Sequence, residues 1–248
     1  MALITTDAIV LRTYNLAEAD RIVLCLTRSA GLVRAVAKGA RRMKSRFGAA
    51  LEPFTLIKLA FYEKENRELV SMSQAEILKS RFDLASQPEA AEVLAYMGEL
   101  VADFAPPHES NEKLFRMVSA CIDALAATPG DIQIVMRYFE VWLLRIAGLF
   151  PDVRSCGECG ARIAEGESAY LDVEVKPHCR GCAHGSTTRL LPDTQRSLIG
   201  TQQLAPAEFA RTFGPLSAAC EMELADLTHR LIVRALERRP RTLVASQR

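Results

Sequence analysis

Four cysteines in two closely spaced pairs constrain this chain of 248 residues more than any other feature. Cys156 and Cys159 form one CxxC pair, and Cys179 and Cys182 form the other after 19 intervening residues. Two such turns can hold four thiolates at about 2.3 Å from one Zn²⁺, and a separation of roughly 15 to 20 residues lets them fold together. The pairs therefore predict one zinc site with four cysteine ligands. Because four thiolates complete the tetrahedron, this Zn²⁺ would be structural and not catalytic.

Two alternatives concern the neighbours of these pairs. His178 and His184 flank the second pair, and either could replace a cysteine as a ligand. A zinc deaminase would also need an H-x-E segment upstream, and the sequence has none. The other three cysteines stand in apolar stretches, where a free cysteine is usually a small buried hydrophobe. They are Cys25, Cys121 and Cys220.

Common enzyme signatures are absent from the sequence. It contains no phosphate loop, dinucleotide fingerprint, H-E-x-x-H or G-x-S-x-G motif, and it has only 4 histidines. We therefore expect a binding protein and not an enzyme. Apolar stretches such as 141–144 and 147–150 fall far short of the roughly 20 residues that span a bilayer. The N-terminus lacks signal-peptide features, so we expect a cytoplasmic, nucleoid-associated protein without a membrane partner.

The first 75 or so residues have the composition of short strands. Runs rich in Val, Ile, Leu and Thr predict five strands, with a hairpin at Gly31, which can adopt positive φ at no steric cost. The predicted strands are 6–14, 21–27, 32–37, 54–62 and 67–72, with a turn at 63–66. Five antiparallel strands of this size close most naturally into a small barrel, and an OB-fold is the commonest such barrel with a basic face.

After Met72 the apolar residues recur at helical spacing. We predict two helices first, one starting at Ser86 to Pro88 and ended by Pro106 and Pro107, and one capped by Ser110 and running up to Pro129. Further helices are predicted near 132–147, ended by Gly148, and near 197–204, 206–213 and 215–237, with a frayed tail after Pro240. The fold class is thus α+β and multidomain. The predicted segments are an OB-fold domain at 1–80, a helical domain at 81–150 and 192–248, and a four-cysteine zinc-finger segment inserted at 151–191.

Positive charge is concentrated in the first segment. Residues 1–80 hold 13 Lys or Arg and 8 Asp or Glu, while the remainder holds 18 and 22. The densest cluster follows the third predicted strand, where a loop could track a phosphate backbone. Its cations, with one on the strand itself, are Arg34, Lys38, Arg41, Arg42, Lys44 and Arg46. Phe47, Phe54 and Tyr62 could stack on bases, although the last two also suit a barrel core.

Residues 8–54, and above all the GLVRAVAKGARRMKSRF segment at 31–47, closely resemble the N-terminal domain of the bacterial RecO family. The order of barrel, helical body and paired CxxC motifs extends the resemblance over almost the whole chain. The resemblance implies a DNA repair and homologous recombination mediator. Such a protein binds single- and double-stranded DNA and anneals complementary strands. With RecR, it helps load RecA onto DNA coated by single-strand-binding protein.

The resemblance also implies that the six cations of the basic segment contact DNA. One departure lies before the third cysteine, where many relatives have a glycine pair and this chain has Val175, Lys176, Pro177 and His178. The departure leaves all four thiols in place but puts a DNA role for the zinc segment in doubt. The alternative function is an RNA-binding or transcription-associated zinc-ribbon protein.

Overall fold

The computed structural model describes residues 2–63, 69–164 and 166–242. The chain forms two compact units, Met1–Ile122 with Pro240–Arg248, and Asp123–Arg239. The four segments expected from the sequence stay a prediction. Within the described ranges, no helix is both long and apolar enough to cross a membrane.

Five strands of the first unit close into a barrel. They are β1 (Ala2–Leu16), β2 (Asp20–Thr27), β3 (Gly31–Ala37), β4 (Leu56–Glu63) and β5 (Leu69–Lys79). Their order is β1-β2-β3-β5-β4, and β1 pairs with both β2 and β4. The expectation of an entirely antiparallel unit is wrong for one pair, because β3 and β5 run parallel. Alternate residues of the strands fill the interior of the barrel. The five strands predicted from the sequence are confirmed, and with the helices that follow they confirm the α+β class.

The strands differ in length from those predicted. β1 has 15 residues because its first part pairs with β4 over Ala2 to Ile9 and its second part with β2 over Ala8 to Leu16. Phe54 was expected in a strand, but it lies before β4 with a φ of 63°. The predicted turn residues 64–66 and the start of the fifth strand at 67–68 lie outside the described residues.

The hairpin between β2 and β3 turns where the sequence predicts. Gly31 has a φ of +64°, and a Cβ at this position would lie 2.2 Å from the backbone oxygen of Glu109. The Thr27 hydroxyl donates to the Gly31 carbonyl at 2.8 Å and accepts from the Ala30 N–H at 2.9 Å. Only glycine fits this turn without moving the 107–109 segment.

Three helices follow the barrel: α1 (Phe82–Ala85), α2 (Pro88–Phe104) and α3 (Glu112–Ala127). The sequence did not predict α1, which is a single turn. The cap of α3 is Asn111 and not Ser110, because the Asn111 Oδ1 accepts the Leu114 N–H at 2.9 Å. The tail after Pro240 was expected to fray, yet buried Glu99 accepts the backbone N–H groups of Arg241 and Thr242 at 2.8 and 2.9 Å. Residues 243–248 lie outside the described ranges.

The second unit is built around α4 (Ile132–Ile146), as predicted. This helix packs against α5 (Pro192–Gln203), α6 (Pro206–Phe213) and α7 (Ala218–Leu236). Gly148, with a φ of +72°, ends it as expected: the Gly148 and Leu149 N–H groups donate to the Arg145 and Leu144 carbonyls. α5 begins five residues earlier than the sequence predicts because Pro192 occupies its first turn.

The described residues between α4 and α5 form no helix, as predicted. It contains a small three-stranded sheet of order β7-β6-β8, made by β6 (Tyr170–Leu171), β7 (Pro177–His178) and β8 (Thr188–Arg189). The sequence did not predict these strands, because two-residue strands leave no periodicity to detect. The sheet helps to position the second cysteine pair, since β7 leads directly into Cys179.

Candidate metal centre and nucleic-acid interface

The structure brings the four paired cysteines together. The Sγ atoms of Cys156, Cys159, Cys179 and Cys182 all lie within 4.8 Å of one another, and those of Cys159 and Cys179 are 3.8 Å apart. A tetrahedral ion with Zn–S bonds of about 2.3 Å requires neighbouring sulfurs at about 3.8 Å. The donor set and its spacing therefore fit Zn²⁺.

The surroundings of Cys156 favour its thiolate form. The backbone N–H groups of Cys159, Cys179 and Glu158 lower the pKa of Cys156 to about 6. Hydrogen bonds with the Cys159 and Cys179 thiols raise the pKa of Cys182 to about 12. A cluster without a cation resists accumulating four negative charges, and a divalent cation would remove that repulsion.

Neither histidine joins the cysteine cluster. The His178 Nε2 lies 3.1 Å from Asp172 Oδ2, and its Nδ1 lies 3.4 Å from Glu158 Oε2. His184 is likewise not part of the group that the described residues form. Replacement of a cysteine by either histidine is therefore not supported by the geometry.

Asp172 organises the turn before the third cysteine. Its Oδ1 accepts the N–H groups of Glu174 and Lys176, both at 2.9 Å. Val175 adopts a φ of 65°, which is unusual for a β-branched residue, and its N–H donates to the Asp172 carbonyl. The Gly157 N–H donates to the Pro177 carbonyl at 2.7 Å and so links the two cysteine turns. Sequence reasoning missed Asp172, although an Asp before a turn is a known signal.

The remaining cysteines behave as predicted. Cys25, Cys121 and Cys220 are fully buried. Burial raises the pKa of Cys25 to about 12 and also raises the pKa of Cys121. All three therefore pack as small buried side chains.

The predicted cations are all exposed on the first unit. Arg34 points outward from β3, because Val33 and Ala35 on either side of it are buried in the barrel. The others lie on the loop after β3, which we call the basic loop (residues 38–46). They are Lys38, Arg41, Arg42, Lys44 and Arg46.

Hydrogen bonds hold the basic loop against the turn between β1 and β2. The Arg41 N–H donates to the Ala19 carbonyl at 2.9 Å, and its guanidinium donates to the Ala17 carbonyl at 3.1 Å. The Asp20 carboxylate accepts the Gly39 N–H at 2.7 Å. Arg41 thus has a structural role besides its charge, which the sequence did not predict.

The positive charge of the loop is not neutralised locally. Within the described parts of the chain, Arg34, Lys38, Arg42 and Lys44 form no ion pair with a carboxylate. By contrast, Lys58 and Arg28 on the same unit both pair with Asp7, at 2.9 and 3.3 Å. Unpaired, solvent-exposed cations are available to a polyanion.

Of the three candidate stacking residues, one is on the surface. Phe47 and Phe54 are buried, with exposed fractions of 3% and 5%, so neither offers a free ring face. Phe47 instead packs into the core and carries the Arg46 guanidinium 4.9 Å from its ring centre. Tyr62 is 40% exposed on the outer face of β4. The expectation of a stacking surface therefore fails for Phe47 and Phe54.

Family models match nearly the whole chain. Residues 1–81 match the model of the recombination protein O N terminal domain, and residues 85–243 match that of the C terminal domain. The sequence is also similar to proteins named DNA repair protein RecO in several bacteria. That of Anaeromyxobacter sp. (strain K) is 34% identical over 217 residues, which are 88% of this chain and 82% of the relative.

Two further relatives carry the same name at similar identity. The DNA repair protein RecO of Koribacter versatilis is 35% identical over 158 residues, a match that spans 64% of each chain. That of Bifidobacterium animalis subsp. lactis is 40% identical over 180 residues, which are 72% of this chain and 74% of the relative.

Proposed function

Because this chain belongs to the recombination protein O family of DNA repair proteins, we propose that it is a recombination mediator that anneals complementary DNA strands. It binds single- and double-stranded DNA through the basic loop and Arg34. The observation that carries this proposal is the group of exposed cations without carboxylate partners on the described surface of the barrel.

Phosphate neutralisation explains how such a surface promotes annealing. Two complementary strands repel each other through their phosphates, and a protein that covers phosphates with Lys and Arg lowers that repulsion. The base edges stay free to pair, because contacts to phosphate carry no sequence information. A basic surface without base-specific readout is therefore sufficient, and no catalytic group is needed.

Membership of the family supports the proposed partners. Together with RecR, the protein would help load RecA onto DNA coated by single-strand-binding protein, in the bacterial cytoplasm at the nucleoid. An acidic protein tail with an apolar end would need cations beside an apolar groove on its receptor. We propose that this groove lies on the helical body.

We also propose that Cys156, Cys159, Cys179 and Cys182 hold one structural Zn²⁺. The sulfur separation of 3.8 Å and the backbone N–H groups around Cys156 support this assignment. When bound, the ion would cross-link the two CxxC turns and leave no open coordination position. Asp172 and the Gly157 N–H would hold the turns in place around it.

DNA affinity measured across a salt series tests the proposed binding surface. The variant K38Q/R42Q/K44Q removes three exposed charges but keeps Arg41, which holds the loop. For single strands, each lost phosphate contact reduces the slope of log affinity against log salt by about 0.7, so we expect a reduction of about 2.

A matched control removes three exposed arginines from helices of the second unit. R211Q/R230Q/R234Q has the same net charge as the loop variant, and we expect it to keep the wild-type salt slope. If the two triple variants reduced affinity and slope equally, the effect would be one of net charge alone. In that case the basic loop would not be the binding surface.

A further inference from the structure

A small patch, exposed except for half-buried Ser71, lies on the outer face of β3, β5 and β4. Its members are Arg34, Leu69, Ser71 and Tyr62. Arg34 is paired with Leu69 across the parallel β3–β5 ladder, and Ser71 is paired with Tyr62 across the antiparallel β5–β4 ladder. We call these four residues the β5 patch.

The pleat of the strands places all four side chains outward. Phe61, Val70 and Met72, which alternate with them, are at most 2% exposed in the barrel core. Directly paired residues have Cβ atoms about 5 Å apart, and Leu69 and Ser71 lie about 7 Å apart on one strand face. The patch is therefore about 10 Å wide, which is the scale of one or two nucleotides.

The patch combines an aromatic ring, an aliphatic side chain and a cation on one face of the barrel. Tyr62 and Leu69 are 40% and 41% exposed, so an aromatic ring and a large aliphatic group face solvent together. Arg34 beside them pairs with no carboxylate in the described ranges, and the chain continues from the end of β3 into Lys38 of the basic loop. An apolar surface with cations at its edge suits a ligand that has apolar ring faces and an anionic phosphate backbone.

We propose that the β5 patch is a stacking site for the bases of single-stranded DNA, with Tyr62 as the stacking residue and Arg34 on the adjoining phosphate. Unpaired bases expose their π faces, whereas a duplex stacks them internally. The patch would thus make the protein prefer single strands, which a basic loop alone would not do. This inference rests on the proposed DNA-binding function, and it explains how the protein would prefer single-stranded DNA over duplex DNA.

The test compares affinities for an unstructured single strand and a duplex of equal length. We expect Y62L to weaken single-strand binding by about tenfold, the usual effect of losing one aromatic stacking contact. Duplex affinity should stay within about twofold and the salt slope unchanged, because no phosphate contact is lost. Y62F keeps the ring and should bind like the wild type, and R34Q should reduce the salt slope.

The matched control is Y14L, which removes a tyrosine that is 50% exposed on β1 of the same barrel, outside the patch. It should leave both affinities unchanged. Equal single-strand affinities of Y62L and wild type, or equal losses for single strand and duplex, would overturn the inference while leaving the DNA-binding proposal intact. Failure of the wild type to bind either DNA would instead contradict the proposed function.

Discussion

At the scale of single residues, the most demanding site is a buried carboxylate in the second unit. Glu140 is fully buried, and its Oε2 accepts hydrogen bonds from Arg137 Nη1 and Thr228 Oγ1, both at 2.6 Å. His229 Nε2 lies 3.5 Å from its Oε1. Burial raises the pKa of Glu140, but Arg137, His229 and Thr228 together outweigh burial and hold the pKa below the ordinary 4.5.

We expect E140Q to destabilise the protein by about 3 kcal/mol at pH 7, because Arg137 would be left buried without its counter-ion. A carboxylate with a depressed folded-state pKa stabilises the protein above its unfolded pKa, and the effect is lost as pH falls through the folded pKa. The difference between wild type and E140Q should therefore narrow below about pH 4.5. Urea unfolding at about pH 7 and about pH 4 measures both effects.

The control for this prediction is D226N, which removes an exposed partner of Arg230. We expect it to change stability by less than about 0.5 kcal/mol at either pH. A loss in E140Q that did not depend on pH would contradict the assigned ionisation of Glu140.

The cysteines give a second prediction at this scale. We expect the purified chain to contain one zinc per molecule, and C156S to release it to a chelator at least about tenfold faster than the wild type. C220S removes a buried thiol outside the cluster and should retain the metal. Elemental mass spectrometry measures the zinc content, and a chelator assay measures the rate of zinc release. Equal retention of zinc by C156S and C220S would contradict the assignment of four cysteine ligands.

At the scale of elements, the sequence predicted what local patterns determine. The α4 helix, the Gly31 turn and the Gly148 stop follow from apolar spacing and from glycine conformation, both of which are local properties. The length of β1 could not be predicted, because it depends on two different partner strands. The end of β5, from Glu76 to Lys79, is exposed and shows no apolar alternation. For this reason the strand predicted from the sequence ended at Met72, before the true end of β5.

The candidate site also has features that the local sequence predicts and features that depend on tertiary contacts. CxxC spacing alone predicted the cysteine cluster, and the density of Lys and Arg predicted the basic loop. The burial of Phe47 could not be predicted, since it depends on how the loop returns to the barrel core. The roles of Asp172 and Arg41 also depend on contacts with neighbouring turns that the linear sequence does not reveal.

The β2–β3 hairpin gives a prediction at this scale. We expect G31A to destabilise the protein by more than about 2 kcal/mol, because the new Cβ would meet the Glu109 carbonyl at a backbone φ of +64°. G48A is the control, since Gly48 also has a positive φ but a Cβ there would meet no atom within 4 Å. It should cost only the conformational strain, about 1 kcal/mol. Equal thermal shifts for both variants would contradict the steric explanation.

At the scale of the whole molecule, charge and structure are distributed unevenly. The barrel segment carries the excess of cations, and the remainder of the chain carries an excess of carboxylates together with the cysteine cluster. The C-terminal residues Arg241 and Thr242 return to the first unit through Glu99. Nucleic-acid contact thus belongs to the first unit in our proposal, and metal binding belongs to the second.

The most direct test of the central claim is fluorescence-detected annealing of complementary single strands by the full-length, zinc-loaded protein across a salt series. We expect the wild type to accelerate annealing, the acceleration to decline with salt, and K38Q/R42Q/K44Q to lose most of it while R211Q/R230Q/R234Q keeps it. If the folded wild type did not accelerate annealing, or if the loop variant annealed as fast as the wild type, the proposal that the barrel surface brings strands together by neutralising phosphates would be contradicted.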